Sequence, residues 1–215
     1  MTNSEAATGG ATSGAPHQHQ VRPNLSWRII DIVTAAVLGV AVGFIFVVWN
    51  IIGGAAFNAI DAFTPGLGGL VAGVWFLGGP LGAYIIRKPG AAVFVEVLAA
   101  SVSALVGNQW GFPTLYSGLA QGLGAELIFL VLLYRRYHAS TVIISGVLAG
   151  LGAWTFEFFA GNIAKSVEFN IIYLISTTLS GALLAGVLAW LLTKALVGTG
   201  ALDRFAVGRE RLADI

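Results

Sequence analysis

The chain has no cysteine. Disulfides, thiolate metal sites and cysteine nucleophiles are therefore excluded. Charge is scarce too: only 10% of the 215 residues are charged, and the formal net charge is +1. That leaves no electrostatic footprint for a nucleic-acid partner. There is no GxxxxGK[ST] phosphate loop, so the chain does not hydrolyse ATP by itself, and neither HExxH nor GxSxG occurs. No metal and no cofactor is expected. What the sequence does hold is apolar: 57% of residues are hydrophobic and 29 are glycine. This is too apolar for a soluble domain and fits a protein of the lipid bilayer.

Residues 1–24 are rich in Ser, Thr, Gly, Ala, Gln and His and read as a disordered cytoplasmic tail. His17 and His19 lie there with no further ligand nearby, and the tail has no signal-peptide pattern. Six apolar segments follow, at about 28–51, 67–86, 90–107, 117–134, 141–161 and 170–194. A span needs roughly 20 apolar residues, so the third and fourth are near the short end. The runs are continuous rather than alternating, which favours helices over a barrel. The expectation is an all-α, multi-pass bundle of six transmembrane helices over residues 25–197, with a C-terminal cytoplasmic tail at 198–215.

The basic residues orient this bundle. With six spans, Arg22, Arg28, Arg87, Lys88, Arg135, Arg136, Lys194, Arg204, Arg209 and Arg211 share one side, and only Lys165 falls on the other. The positive-inside rule then puts both termini in the cytoplasm. The outward loops become 50–66, 108–116 and 162–169, which hold Asn, Asp, Gln and aromatics. Loop 50–66, with three glycines and one proline, suits a lid.

Glu96, Glu126 and Glu157 lie within or at the edge of spans, and no Lys or Arg lies inside a span to pair with them. Buried ionised carboxylates cost several kcal/mol unless answered. One answer is a neutral, hydrogen-bonded glutamate inside the bundle. The other is a cationic, ring-bearing ligand, received by acid and aromatic walls. On that second reading Glu126 and Glu96 offset charge or accept from an amino group. Glu157 shares a face with Trp154. Trp110, Trp154 and Trp49 stack on rings, while Asn108, Gln109, Tyr116 and Gln121 orient the ligand. Trp75, in mid-span, reads as packing, and Trp27 and Trp190 read as interface anchors. Asp31, one turn after Arg28, reads as its ion-pair partner.

Small residues recur at four-residue spacing: Ala35, Gly39 and Gly43 in the first span, Gly118 with Gly122, and Gly146 with Gly150. Such stripes let helices approach closely. The first is the candidate for an external partner helix.

The stretches WRIIDIVTAAVLGVAVGFIFVVWN, PGLGGLVAGVWFLGGPLGAYIIRKPGAA, EVLAASVSALVGNQWG and GLAQGLGAELIF together resemble the YkoE family. These are substrate-binding S components of energy-coupling factor (ECF) transporters, linked to thiamin or its hydroxymethylpyrimidine precursor. The resemblance spans residues 27–195. It implies a six-helix bundle in a bacterial cell membrane, a separate transmembrane coupling protein and a pair of cytoplasmic ATPase subunits that bind the ATP. It also implies docking through an AxxxA-like motif in the first helix, which here reads AxxxG at Ala35 and Gly39. A proton-coupled secondary transporter for a small cationic or heterocyclic solute is the alternative, with the same glutamates as proton carriers. An intramembrane enzyme would need paired catalytic groups that this sequence does not bring together.

Overall fold

The computed structural model describes residues 25–213, with side chains through 210. The tail at 1–24, with His17, His19 and Arg22, lies outside the described residues. Helix α1 runs Ile29–Phe63, followed by a 3-10 segment Leu67–Phe76 and α2, Gly78–Ile86. Then come α3 (Ala91–Val106), α4 (Pro113–Val131), α5 (Ala139–Ala160) and α6 (Val167–Ser180). A π segment, Gly181–Val187, joins α6 to α7 (Leu188–Gly198), and α8 is Ala206–Ala213. Among the described residues, five helical rods are long and apolar enough to cross a membrane, and α3 is a further, shorter apolar helix. The all-α bundle is as expected, in the expected order.

Three boundaries differ from the expectation. The first is α1, which has 35 residues and continues through Phe63. At 1.5 Å per residue it is about 52 Å long, well beyond the ~30 Å of hydrocarbon. The outward loop and lid expected at 50–66 is therefore mostly helix, and the turn that follows is tied down. Asp61 Oδ1 accepts from the Gly66 amide at 2.7 Å, and Gly66 has φ +98°, where a side chain would be strained. The second is α4, which starts at Pro113, shrinking the expected loop 108–116. The third lies in residues 198–215. Leu202, Phe205 and Val207 are buried in the core, and Arg87 forms an ion pair with Glu210. Its described part, through residue 210, is packed onto the bundle.

At the start of α1, Arg28 and Asp31 form the expected pair: Arg28 Nη2 lies 2.7 Å from Asp31 Oδ1. The small residues of α1 are used inside the bundle. Ala35, Gly39 and Gly43 are buried. A Cβ on Gly39 would lie 2.8 Å from Leu98 Cδ2, and one on Gly43 2.6 Å from Val102 Cβ. The stripe expected to receive an external helix is thus filled by α3. The physical reason is that close approach is a property of the stripe, not of a particular partner. The stripes in α4 and α5 do pack internally, as expected. A Cβ on Gly118 would meet Ala100 Cβ at 2.6 Å, and one on Gly146 would meet the Gly181 carbonyl oxygen at 2.2 Å.

The 3-10 segment is longer than such segments usually are. Its glycines let it lie against α6: the Gly73 amide donates to Ser180 Oγ at 2.7 Å, and a Cβ on Gly69 would lie 2.9 Å from Ser176 Cβ. This places Trp75 and Phe76 in the middle of the bundle.

Candidate functional site

A cavity of about 310 Å³ opens between α1, the 3-10 segment and helices α3 to α6. Its volume is at the small end of the range for small-molecule sites. Phe46, Asn50 and Phe57 come from α1, and Trp75 and Phe76 from the 3-10 segment. Ser103 comes from α3, while Trp110, Thr114, Ser117 and Gln121 come from the α3–α4 turn and α4. Phe156 and Glu157 come from α5, Asn162 from the turn after it, and Tyr173 from α6.

The polar side chains are linked to each other across elements. Trp75 Nε1 donates to Asn50 Oδ1 at 2.9 Å, and Asn50 Nδ2 donates to Ser103 Oγ at 2.9 Å. That chain fixes the floor between α1, the 3-10 segment and α3. Above it, Trp110 meets Trp75 edge-to-face, with centroids 5.0 Å apart and planes at 81°, a favourable aromatic geometry. On the far wall, Tyr173 donates its hydroxyl to Glu157 Oε2. Glu157 is the one carboxylate among the lining residues.

The turn that carries Trp110 is built by Asn108. Its Oδ1 accepts from the amides of Trp110 (2.9 Å) and Gly111 (2.8 Å) and from Thr114 Oγ1 at 3.1 Å. An Asn side chain that mimics a backbone turn in this way is a common starter for a following helix. Asn108 therefore shapes the rim and is not itself among the lining residues.

Of the residues expected from sequence, Trp110, Gln121 and Glu157 are brought together at the cavity. Gln109 is exposed at the rim, close to Gly54 of α1. Tyr116 is also exposed, packed edge-to-face on Phe112 with centroids 5.5 Å apart. Trp49 and Trp154 are not lining residues. Trp49 Nε1 donates to the Val71 carbonyl at 3.0 Å. Trp154 Nε1 donates to the Asn170 carbonyl at 3.0 Å and its ring stacks on Phe158, centroids 5.2 Å apart. Sharing a face with Glu157 did not suffice, because Phe158, at i+4, and the α6 backbone hold that indole.

Glu96 and Glu126 need a larger correction. Glu126, on α4, reaches with its carboxylate to the start of α3. It accepts from the amides of Gly90 (2.7 Å) and Ala92 (2.8 Å) and from the Tyr134 hydroxyl (2.9 Å). Those two amides are among the unpaired donors every helix start leaves. Burial first, and the bond to Glu126 next, raise the Tyr134 phenol above its ordinary pKa, so it stays a donor. Glu126 is thus answered by the fold, away from the cavity. Glu96 is fully buried behind the floor, and its Oε2 accepts from the Gly79 amide at 2.7 Å.

Sequence reasoning assigned no ligand role to Asn50, Trp75, Ser103, Ser117 or Tyr173. Asn50 and Trp75 carried a signal: each is a polar-tipped side chain in an apolar run, and the tips need partners. Tyr173 carried none, since its partner is 16 residues away on another helix. Among the described residues, no group of three or more His, Asp or Glu side chains is placed to share a metal ion.

The comparisons with known proteins agree with this architecture. Residues 30–152 match the model of a family described as "ABC-type cobalt transport system, permease component". The chain is 33% identical over 190 residues to the "Putative HMP/thiamine permease protein YkoE" of Bacillus subtilis (strain 168), covering 86% of this chain and 92% of that protein. Its fold matches a crystal structure described as an S-component of an ECF transporter, with a TM-score of 0.81 and 31% identity, over 88% of this chain and 95% of that one. A match of this identity over nearly the whole length of both proteins shows the family: the chain belongs to the YkoE family, S components of ECF transporters.

Proposed function

We propose that the chain captures hydroxymethylpyrimidine or thiamin on the outer side of a bacterial membrane and hands it to an ECF coupling module. The observation that carries this reading is the composition of the cavity: a lone carboxylate, Glu157, faces it among the rings of Trp75, Trp110, Phe57 and Phe156. The thiazolium of thiamin is permanently cationic, and the aminopyrimidine is a flat ring with hydrogen-bonding edges. A carboxylate and aromatic faces suit both features through charge-assisted hydrogen bonds and cation–π contact. The printed description of the Bacillus relative, an HMP/thiamine permease, supports the same class of substrate.

The charges favour one orientation. Arg28, Arg87, Lys88, Arg135, Arg136, Lys194, Arg204 and Arg209 flank one end of the bundle, and Lys165 flanks the cavity end. The positive-inside rule turns the cavity outward. Substrate binds there, and a transmembrane coupling protein with a pair of cytoplasmic ATPases drives inward release. Calorimetry on the purified full chain tests the reading. Saturable binding of thiamin or hydroxymethylpyrimidine, and none of an uncharged vitamin such as riboflavin, is expected. Absence of saturable binding by both pyrimidines would overturn it.

A further inference from the structure

Glu96 is buried behind the cavity floor and does not line it. Its neighbour Gln121 does line it. The surroundings of Gln121 settle which way its side-chain amide points. The Trp75 carbonyl oxygen lies 3.1 Å from one terminal atom of that amide, and Glu96 Oε1 lies 3.2 Å from the same atom. A backbone carbonyl only accepts, so this atom is Nε2, and both of its hydrogens are used. The other terminal atom, Oε1, accepts from Ser117 Oγ at 2.7 Å. One lone pair of Oε1 is left. Glu96 in turn is held by the Gly79 amide, 2.7 Å from Oε2.

We propose that Glu96 is a positioning residue: it locks the Gln121 amide so that only an acceptor faces the cavity, and the site thereby selects rings bearing an exocyclic amine over rings bearing an oxygen at the same place. The inference rests on the vitamin reading above and specifies which edge of the pyrimidine is read. An amine donates to Gln121 Oε1. An oxo group sets lone pair against lone pair, and Gln121 has no free hydrogen with which to turn and answer it. A site whose polar groups are already committed rejects the wrong partner strongly, because nothing can be rearranged to satisfy it.

Glu96→Gln removes the lock while keeping the shape. A glutamine there gives its oxygen to the Gly79 amide, so its own NH2 faces Gln121 Nε2, donor against donor. The test uses the purified full chain and calorimetry with two probes: 4-amino-5-hydroxymethyl-2-methylpyrimidine and its 4-oxo counterpart. The readout is the ratio of the two affinities. Wild type should prefer the amine by about tenfold or more. Q121L and E96Q should each bring the ratio to within about threefold of unity, and E96Q should add nothing in the Q121L background. A merely structural Glu96 would weaken both probes equally and leave the ratio standing, which overturns the proposal. An unchanged ratio in Q121L overturns it as well, including where E96Q fails to fold; Glu96→Asp is then read in its place. Binding of neither probe to wild type, with thiamin also unbound, sinks the vitamin reading and this inference with it, whereas binding of thiamin alone, or of both probes with equal affinity, sinks this inference alone.

Discussion

Glu126 and Glu157 are the same residue type in similar apolar helices, and each meets a tyrosine hydroxyl. They differ in what else is there. Glu126 receives two further donors from the start of α3, the amides of Gly90 and Ala92. Glu157 has Tyr173 and an open cavity. A buried acid calls for donors, and the sequence alone does not say whether the fold or a ligand supplies them. At the basic end the fold supplies them, and the acid becomes a structural cap. At the cavity end it leaves part of the carboxylate open to the cavity.

The strongest way to break this contrast is to remove each acid. Glu126→Leu strands a half-buried and a buried amide and the Tyr134 hydroxyl, so it should lower folding stability by about 3 kcal/mol. The folded fraction should still bind thiamin within about twofold of wild type. Thermal unfolding and calorimetry on one preparation check both halves. Loss of affinity at unchanged stability would make Glu126 a ligand residue after all. Glu157→Gln should do the reverse. Binding should weaken by about tenfold, ~1.4 kcal/mol, with folding stability changed by under ~1 kcal/mol. An E157Q protein that binds as tightly as wild type would remove the carboxylate from the recognition scheme.

The tyrosines sharpen the comparison at smaller amplitude. Tyr134→Phe deletes one of three donors to Glu126 and should cost about 1 kcal/mol of stability with no effect on affinity. Tyr173→Phe frees Glu157 to turn from its resting position and should weaken thiamin binding about threefold, at the low end of a single hydrogen bond's worth. Equal effects of the two substitutions on binding would erase the distinction drawn between the two ends.

The same pair of glutamates marks how far the sequence could be read. The apolar runs showed the helices, their order and the Arg28–Asp31 pair, because each depends on residues near in sequence. Glu126 could not be read as a cap, since its amide partners are 34 and 36 residues away. The extension of α1 was hidden by Gly53 and Gly54, which weaken a helix. Here Gly54 lies against Gln109 of the α3–α4 turn, so tertiary packing overrides local preference. Trp75 looked like packing because it sits in mid-span, yet a cavity floor is also mid-span. Its indole tip, bonded to Asn50, is what distinguishes the two.

The smallest expected effect concerns α8, at the basic end. Glu210 pairs with Arg87 across 123 residues of sequence, and its side chain is 61% exposed while that of Arg87 is 10% exposed. Arg87 does not depend on this partner alone. Its guanidinium also lies 4.7 Å from the centroid of the Tyr137 ring and 5.6 Å from that of Tyr84, and Nε donates to the Tyr84 carbonyl at 3.3 Å. Glu210→Gln should therefore cost about 0.5 kcal/mol or less, the usual worth of an ion pair open to water. The difference from wild type should shrink as salt is raised, because exposed charges are screened. Unfolding curves at low and high ionic strength measure it. A cost several times larger would mean that α8 is held chiefly by this pair and not by the burial of Leu202, Phe205 and Val207.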